Sequence, residues 1–223
     1  MSISKFAGRA MALAVAAMSL MGVADVLPAR AAQLVDFTNV AFAPVTGDTS
    51  IPVGHADFCR RNPNECTVNA NLVEDVHLTP ANWQQLLDVN TYFNTTIVPE
   101  TDEQLYHVAE YWTYPHGFGD CEDIALAKRR KLIEDGWPAS TLLMTVAKET
   151  DGEGHAVLMV RTDRGDLILD NQDSTVRDWK DSPYHFLKRQ SQINAGEWVG
   201  IADSRPGVIM AKSDTSQPVE TGK

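Results

Sequence analysis

The hydrophobic periodicity of the chain changes at Gly136-Trp137-Pro138, and this change limits the folds available to it. Before this point apolar residues recur every three or four positions, which is typical of amphipathic helices. Beyond it the period becomes that of strands, over residues 141–148, 155–162 and 167–171. Because these strands carry apolar residues on both faces, we expect central strands that are covered on both sides. Helices followed by strands predict an α+β fold in which helices pack on an antiparallel sheet.

Start signals indicate three helices in the first part of the chain. Thr79-Pro80 supplies an N-cap and a first-turn proline for the first helix. A capping box that begins at Thr101 predicts a second helix, which we expect to end near Tyr114-Pro115. Asp120 occupies the N-cap position of a third helix, predicted over residues 121–134.

A hairpin turn at Asp163-Arg164-Gly165-Asp166 decides whether two polar residues of the strands can meet. If the loop consists of the first two residues of this turn, Asp170 lies opposite Val157 and one diagonal step from His155, within reach of contact. If the loop is shifted by one residue, Asp170 lies opposite Met159, and contact would need a bulge. The preference of turns for glycine leaves both registers open.

The two ends of the chain differ in composition from its centre. Residues 1–31 carry basic residues, an apolar run over 10–23 and then Ala29-Arg30-Ala31, which predicts a cleaved export signal. The apolar run is too short for a membrane anchor. We therefore expect a periplasmic or extracellular protein with one domain over residues 32–204 and a disordered tail over 205–223, rich in small and polar residues.

Charge and hydropathy exclude two classes of partner. The formal net charge of the whole chain is −11, so a nucleic acid is an unfavourable partner. Past the export signal no segment is apolar enough for membrane insertion. Residues 32–57 lack a clear period, and we expect an irregular segment that packs over the domain.

The three cysteines divide into a pair and a single residue. Cys59 and Cys66 lie close together, and in an oxidising compartment such a pair is expected to form a disulfide. Cys121 is then an unpaired thiol. It is either a buried, inert cysteine or a reactive one.

The position of Cys121 favours reactivity, but its neighbours oppose it. At the first turn of a helix, free backbone N–H groups and the helix dipole stabilise a thiolate and could also bind an oxyanion. The adjacent carboxylates raise the pKa of the thiol unless a cation neutralises them. A general base could come from His155, although a single histidine at a strand start is often structural. Asp170 ends an apolar run, where a carboxylate requires a partner.

Three segments together resemble the bacterial transglutaminase-like cysteine proteinases, and in particular their LapG-type periplasmic branch. They are Gly119-Asp120-Cys121-Glu122-Asp123, Gly154-His155-Ala156-Val157-Leu158 and Leu169-Asp170-Asn171. The resemblance implies a papain-like core with Cys121 as nucleophile, His155 as base and then acid, and Asp170 as the residue that orients the imidazole.

The resemblance further implies a cofactor and partners. Calcium would bind near the catalytic cysteine, with Asp120, Glu122 and Asp123 as candidate ligands. The substrate would be a protein, in the best-understood branch a large surface adhesin. An inner-membrane receptor that senses cyclic di-GMP would sequester the protease.

Two other functions are compatible with the same residues. A transglutaminase or an amidase would form the same acyl-enzyme and differ only in the acceptor or the amide that is admitted. A binding module without activity would keep the three side chains as core residues or relics. Product analysis with an amine donor would identify the first, and the reactivity of the Cys121 thiol would identify the second.

Overall fold

The computed structural model of the protein describes residues 40–205. The predicted export signal, and the predicted tail apart from Arg205, lie outside the described residues. The α-helices of the described part are α1 Val53–Arg61, α2 Pro80–Thr96, α3 Asp102–Tyr106 and α4 Cys121–Glu134. The strands are β1 Val45–Thr49, β2 Val98–Pro99, β3 Phe118–Gly119, β4 Leu142–Lys148, β5 Gly154–Thr162, β6 Gly165–Leu169, β7 Arg177–Asp178, β8 His185–Gln190 and β9 Trp198–Ile201.

Seven strands form one antiparallel sheet in the order β1-β9-β8-β4-β5-β6-β7. The short strands β2 and β3 pair in parallel as a separate two-stranded sheet. This arrangement confirms the predicted α+β class with an antiparallel sheet. Among residues 40–205, no helix has both the length and the hydrophobicity needed to cross a membrane.

Both faces of the three predicted strands are buried, as expected for central strands. Alternate residues of β4, β5 and β6 pack against α2 and α4 on one face, where Leu142, Leu158 and Leu167 are fully buried. The residues in between, such as Met159, face a second apolar cluster that contains Phe186. Because the side chains of a strand alternate between faces, each strand contributes to both clusters.

The hairpin between β5 and β6 adopts the first of the two predicted registers. Thr162 pairs with Gly165, so the loop consists of Asp163 and Arg164. Gly165 has a φ of 105° and follows the loop directly. A Cβ at this glycine would lie 2.5 Å from the carbonyl oxygen of Ala41, which explains why the turn places its glycine here.

Helix α3 is much shorter than predicted. The capping box is confirmed, because the Thr101 side chain accepts a hydrogen bond from the Gln104 amide and the Gln104 side chain caps Thr101 in return. The helix nevertheless ends at Tyr106, and His107 adopts a left-handed conformation with a φ of 59°. The prediction of a helix as far as Tyr114-Pro115 was therefore wrong.

Carboxylate acceptors explain why this helix stops early. The backbone amide of Tyr111 donates to the Asp102 carboxylate, and the amide of Thr113 donates to Oδ1 of Asp123 at 2.7 Å. These amides would otherwise donate to carbonyls four residues earlier in a helix. Carboxylates outside the segment therefore accept its backbone amides in place of helical carbonyls. Helical periodicity alone does not predict these hydrogen bonds.

The sheet also gains strands that the sequence did not predict. The segment expected to be irregular contains β1 and the start of α1, and β1 pairs with β9, with Val45 opposite Ile201. All five residues of β1 are exposed, which is why it lacks a hydrophobic alternation. Beyond the three predicted strands, Tyr184, Phe186 and Trp198 are also buried.

Two further predictions concern covalent and terminal features. A disulfide joins Cys59 to Cys66, as the cysteine spacing predicted, and Cys121 is a free cysteine. Arg205 was assigned to the disordered tail, but its guanidinium forms hydrogen bonds to Asp203 and to several backbone carbonyls. The ordered domain therefore extends at least one residue beyond the predicted boundary.

Candidate active site

Cys121 is the first residue of α4, as predicted, and it is partly exposed. Its Sγ lies 3.3 Å from Oε2 of Glu122 and accepts the backbone amide of Ala156 at 3.4 Å. The second contact places the thiol beside the start of β5. Asp120 holds the N-cap position without a side-chain capping bond, and its Oδ2 instead accepts the amide of Asp102 at 3.3 Å.

His155 and Asp170 contact each other directly. Nε2 of His155 lies 2.8 Å from Oδ1 of Asp170, and both side chains are almost fully buried. The hairpin register makes this contact possible, because Leu158 pairs with Leu169 and brings Asp170 to the side of β5 that carries His155.

Additional donors hold the Asp170 carboxylate and its backbone. The amide of Gln172 donates to Oδ1 at 3.0 Å, and the hydroxyl of Tyr184 donates to Oδ2 at 2.5 Å. From α2, Nδ2 of Asn94 donates to the carbonyl oxygen of Asp170 at 2.7 Å. Sequence reasoning assigned no role at this site to Gln172 or Tyr184, since both follow Asp170 in segments without a motif.

A cleft joins the thiol and the imidazole. Cys121 and His155 both line a cavity of about 360 Å³. Its other walls come from the start of α1, from the loop before α4, from α4 itself and from β4 and β5 with the loop between them, through Pro52, Val53, Glu110, Trp112, Glu122, Val146, Glu153, Gly154 and Ala156. The structure thus brings two of the three predicted catalytic residues to one cleft and puts the third in contact with His155.

Burial and like charges oppose ionisation near the thiol. Burial, and then the Glu122 carboxylate, raise the pKa of Cys121 well above its usual value. Burial and the charge of Asp120 raise the pKa of Glu122 to about 10. Burial also raises the pKa of Asp170, but hydrogen bonds from His155 and Tyr184 outweigh it and leave that pKa below its usual value. The carboxylate beside the imidazole therefore stays ionised, whereas the thiol needs a neighbouring positive charge.

A cluster of carboxylates beside Cys121 could supply a site for such a charge. Asp102, Asp120 and Asp123 each offer an oxygen, and these oxygens lie within 4.8 Å of one another. One oxygen of each residue is buried and has no hydrogen-bond partner within residues 40–205. Burial raises the pKa of Asp123 to about 8 and also raises that of Asp120. A hard cation with oxygen ligands fits this donor set.

The cluster differs in one member from the ligands suggested by the sequence. Asp120 and Asp123 belong to it, whereas Glu122 hydrogen-bonds to Asp120 and Cys121 and lines the cleft. Asp102 was not predicted as a ligand, because it precedes Asp120 by 18 positions, in a segment whose sequence indicates only the start of a helix. A second group of potential ligands, His55 with Cys59 and Cys66, has its two sulfurs joined in the disulfide.

Comparison with known proteins finds matches among solved structures and family models. No curated protein sequence matches the chain significantly. Calcium-bound Legionella pneumophila LapG is 29% identical, with a TM-score of 0.47, over 58% of this chain and 73% of that one. A second structure of this LapG is 30% identical, with a TM-score of 0.43, over 51% and 65% of the two chains. The EGTA-treated form of this LapG is 29% identical, with a TM-score of 0.45, over 57% of this chain and 74% of that one.

The family assignment depends on the sequence match. The model of the bacterial transglutaminase-like cysteine proteinases matches residues 45–206, which include Cys121, His155 and Asp170. This match covers most of the chain and the whole of the sheet described above. The chain belongs to the bacterial transglutaminase-like cysteine proteinase family and is a cysteine peptidase.

Proposed function

We propose that the protein is a periplasmic cysteine endopeptidase in which Cys121, His155 and Asp170 form the catalytic triad and calcium supports the thiolate. The observation that carries this proposal is the 2.8 Å contact between Nε2 of His155 and Oδ1 of Asp170, beside a cleft that Cys121 shares with the imidazole. In this proposal Nδ1 of His155, which lies 3.7 Å from Oε1 of Glu149, is the ring nitrogen that exchanges a proton with the thiol.

The proposed reaction passes through an acyl-enzyme. The proton of the Cys121 thiol moves to Nδ1 of His155, and the thiolate attacks the scissile carbonyl carbon. Free backbone N–H groups in the first turn of α4 stabilise the resulting oxyanion. When the C–N bond breaks, His155 returns the proton to the leaving amine. Water then attacks the thioester while His155 accepts a proton from it. The C–S bond breaks, the carboxylic acid product is released, and His155 returns the proton to the thiolate of Cys121. Asp170 stabilises the imidazolium throughout.

Calcium is the part of the proposal that resolves the electrostatic conflict at the thiol. Asp102, Asp120 and Asp123 would hold the ion, with Glu122 close to them. Their buried, unpartnered oxygens and the raised pKa values of Asp120 and Asp123 indicate a group of carboxylates that cannot all ionise unaided. The positive charge would let these carboxylates ionise and would lower the pKa of the neighbouring thiol.

A periplasmic location and protein partners complete the proposed function. The predicted export signal and the Cys59–Cys66 disulfide both suit an oxidising compartment, hence the periplasm. A peptidase acts on protein or peptide substrates. The resemblance to the LapG-type branch favours a large surface adhesin as substrate and an inner-membrane cyclic di-GMP receptor as regulator.

Digestion of a peptide library, read by mass spectrometry, tests this function. We expect the protein with calcium to generate new termini at a restricted set of sequences, and we expect none from Cys121→Ala or from enzyme in excess EGTA. An amine donor in the same reaction reports the competing outcome, because amine adducts in place of new termini would indicate a transglutaminase. Cleavage by Cys121→Ala would refute the assignment of the nucleophile.

A further inference from the structure

Tyr184 contacts both members of the His155–Asp170 pair. Its hydroxyl donates to Oδ2 of Asp170, and its ring lies against the imidazole of His155, with a centroid distance of 4.8 Å and an interplanar angle of 58°. Tyr184 is 8% exposed. Burial, and then the hydrogen bond to Asp170, raise the pKa of the phenol, so the hydroxyl keeps its proton and remains a donor.

The Asp170 carboxylate depends on this donor for its second oxygen. Oδ1 accepts from His155 and from the amide of Gln172, whereas Oδ2 accepts, within the described part of the chain, only from Tyr184. Without the hydroxyl, Oδ2 would be a buried carboxylate oxygen without a partner, which is costly. Rotation of the carboxyl group, or its protonation, would relieve that cost and would also disturb the hydrogen bond to His155.

Arg205 fixes the segment that presents Tyr184. Its guanidinium donates to the carbonyl oxygens of Trp179, Lys180 and Ser182 at 2.8 to 3.0 Å, and also to that of Tyr184. It also stacks over the Trp179 ring, 4.8 Å from the centroid. Because a planar fork of donors satisfies several carbonyls in one geometry, the segment has little freedom to move away from Asp170.

We propose that Tyr184 is a positioning residue of the active site, whose hydroxyl fixes the Asp170 carboxylate while its ring packs against His155. This inference rests on the proposed catalytic role of the His155–Asp170 pair. Tyr184 is not among the described residues that line the cleft and would act on the reaction through Asp170 and His155. Its removal should therefore affect the chemical step and leave substrate binding intact.

Tyr184→Phe tests the proposal, because it removes the hydroxyl and keeps the ring. We expect kcat to fall about ten- to hundredfold while KM stays unchanged, as for the loss of a hydrogen bond to a charged group. Tyr114→Phe is the matched control, since Tyr114 is a partly buried tyrosine that hydrogen-bonds to a carboxylate, Glu65, away from the cleft. The control should lower thermal stability to a similar extent without a change in kcat. A Tyr184→Phe enzyme with the kcat of the wild type would overturn the proposal.

A second measurement separates this inference from the proposed function. Long-range ¹H–¹⁵N spectra report the protonation of each ring nitrogen of His155 without any substrate. We expect Nε2 to remain protonated in one defined state in the wild type, and to exchange between states in Tyr184→Phe. Unchanged His155 signals in the variant would contradict positioning. A wild type that shows these signals but cleaves no peptide would refute the proposed function and leave the positioning of the imidazole standing.

Discussion

At the scale of single residues, Cys121 combines a favourable helix position with an unfavourable set of neighbours. It is the first residue of α4, where the helix dipole favours a thiolate, while Oε2 of Glu122 lies 3.3 Å from its sulfur. The sequence predicted this conflict, and the raised pKa of the thiol agrees with it, although burial is its largest cause. Reactivity therefore depends on what neutralises the carboxylates, and two predictions follow at this scale.

Removal of the thiol should abolish activity and leave the fold intact. Cys121→Ala removes only the sulfur of a partly exposed side chain, so we expect an almost unchanged melting temperature. His155→Ala should lose a comparable share of activity, on the order of 10⁴-fold or more, because members of a triad act as a unit. Initial rates on a cleaved peptide and a thermal melt check both variants. Residual cleavage at wild-type rates in either variant would contradict the triad.

Asp102→Asn should weaken calcium binding at least about tenfold, since it removes one of three charges from a buried donor set. Glu103→Gln is the control, because it makes the same change in charge one residue further on, at an exposed position. Isothermal titration on chelator-stripped protein measures both. Equal affinity in the two variants would mean that Asp102 serves only to accept the amide of Tyr111.

At the scale of elements, the segments between helices and strands determine how the site is assembled. The loop from Tyr106 to α4 is not helical, because carboxylates of the cluster accept its amides. The loop between β6 and β7 is tied to α2 through Asn90 and Asn94, whose side-chain amides donate to backbone carbonyls at positions 170, 173 and 174. These contacts connect the two parts of the chain that have different periodicity.

The disulfide between Cys59 and Cys66 should be the only one in the native protein. We expect one titratable thiol per chain, that of Cys121, in a native thiol assay. Replacing both Cys59 and Cys66 with Ala should lower the free energy of unfolding by about 2.5 kcal/mol, because the crosslink closes a short loop. Urea denaturation of the double variant gives this difference. Two or more free thiols in native oxidised protein would contradict the pairing.

At the scale of the whole molecule, one buried lysine makes stability depend on pH. Lys128 lies in the core between α2 and the sheet, and its Nζ donates to Oδ1 of Asn90 at 2.8 Å. Burial lowers its pKa from 10.5 to about 7, against a smaller opposing effect of Asp170. Below pH 7 the lysine is protonated in both the folded and the unfolded chain, so the free energy of unfolding is reduced by the full cost of burying the charged ammonium group.

Between pH 7 and 10.5 the unfolded chain binds a proton at Lys128 that the folded chain does not bind. The free energy of unfolding should therefore gain about 1.4 kcal/mol per pH unit from this residue. Lys128→Met removes the effect, and Lys131→Met, at an exposed position of the same helix, should keep it. Urea denaturation at pH 7 and pH 9 measures the difference between each variant and the wild type. A difference between wild type and Lys128→Met that does not change with pH would show that the lysine stays charged in the core.

Local sequence signals determined the class of the fold and the elements that carry the proposed triad. The bounds of α4, the N-cap at Thr79, the capping box at Thr101 and the disulfide all agree with the prediction, because each depends on residues close together in the chain. Cys121, His155 and Asp170 were named for the same reason, and their catalytic roles stay a prediction. Turn chemistry left two hairpin registers, and the structure adopts the one that brings His155 to Asp170.

Only the tertiary structure decided which distant residues complete the site. Asp102 joins Asp120 and Asp123 across a segment whose period favours a helix, and Tyr184 reaches Asp170 from beyond β7. Strand β1 likewise has no apolar alternation of its own, and it forms by pairing with β9 at the edge of the sheet. Buried carboxylates and strand edges need hydrogen-bond partners, and these partners come from distant parts of the chain. A local pattern of residues therefore does not identify them before the chain is packed.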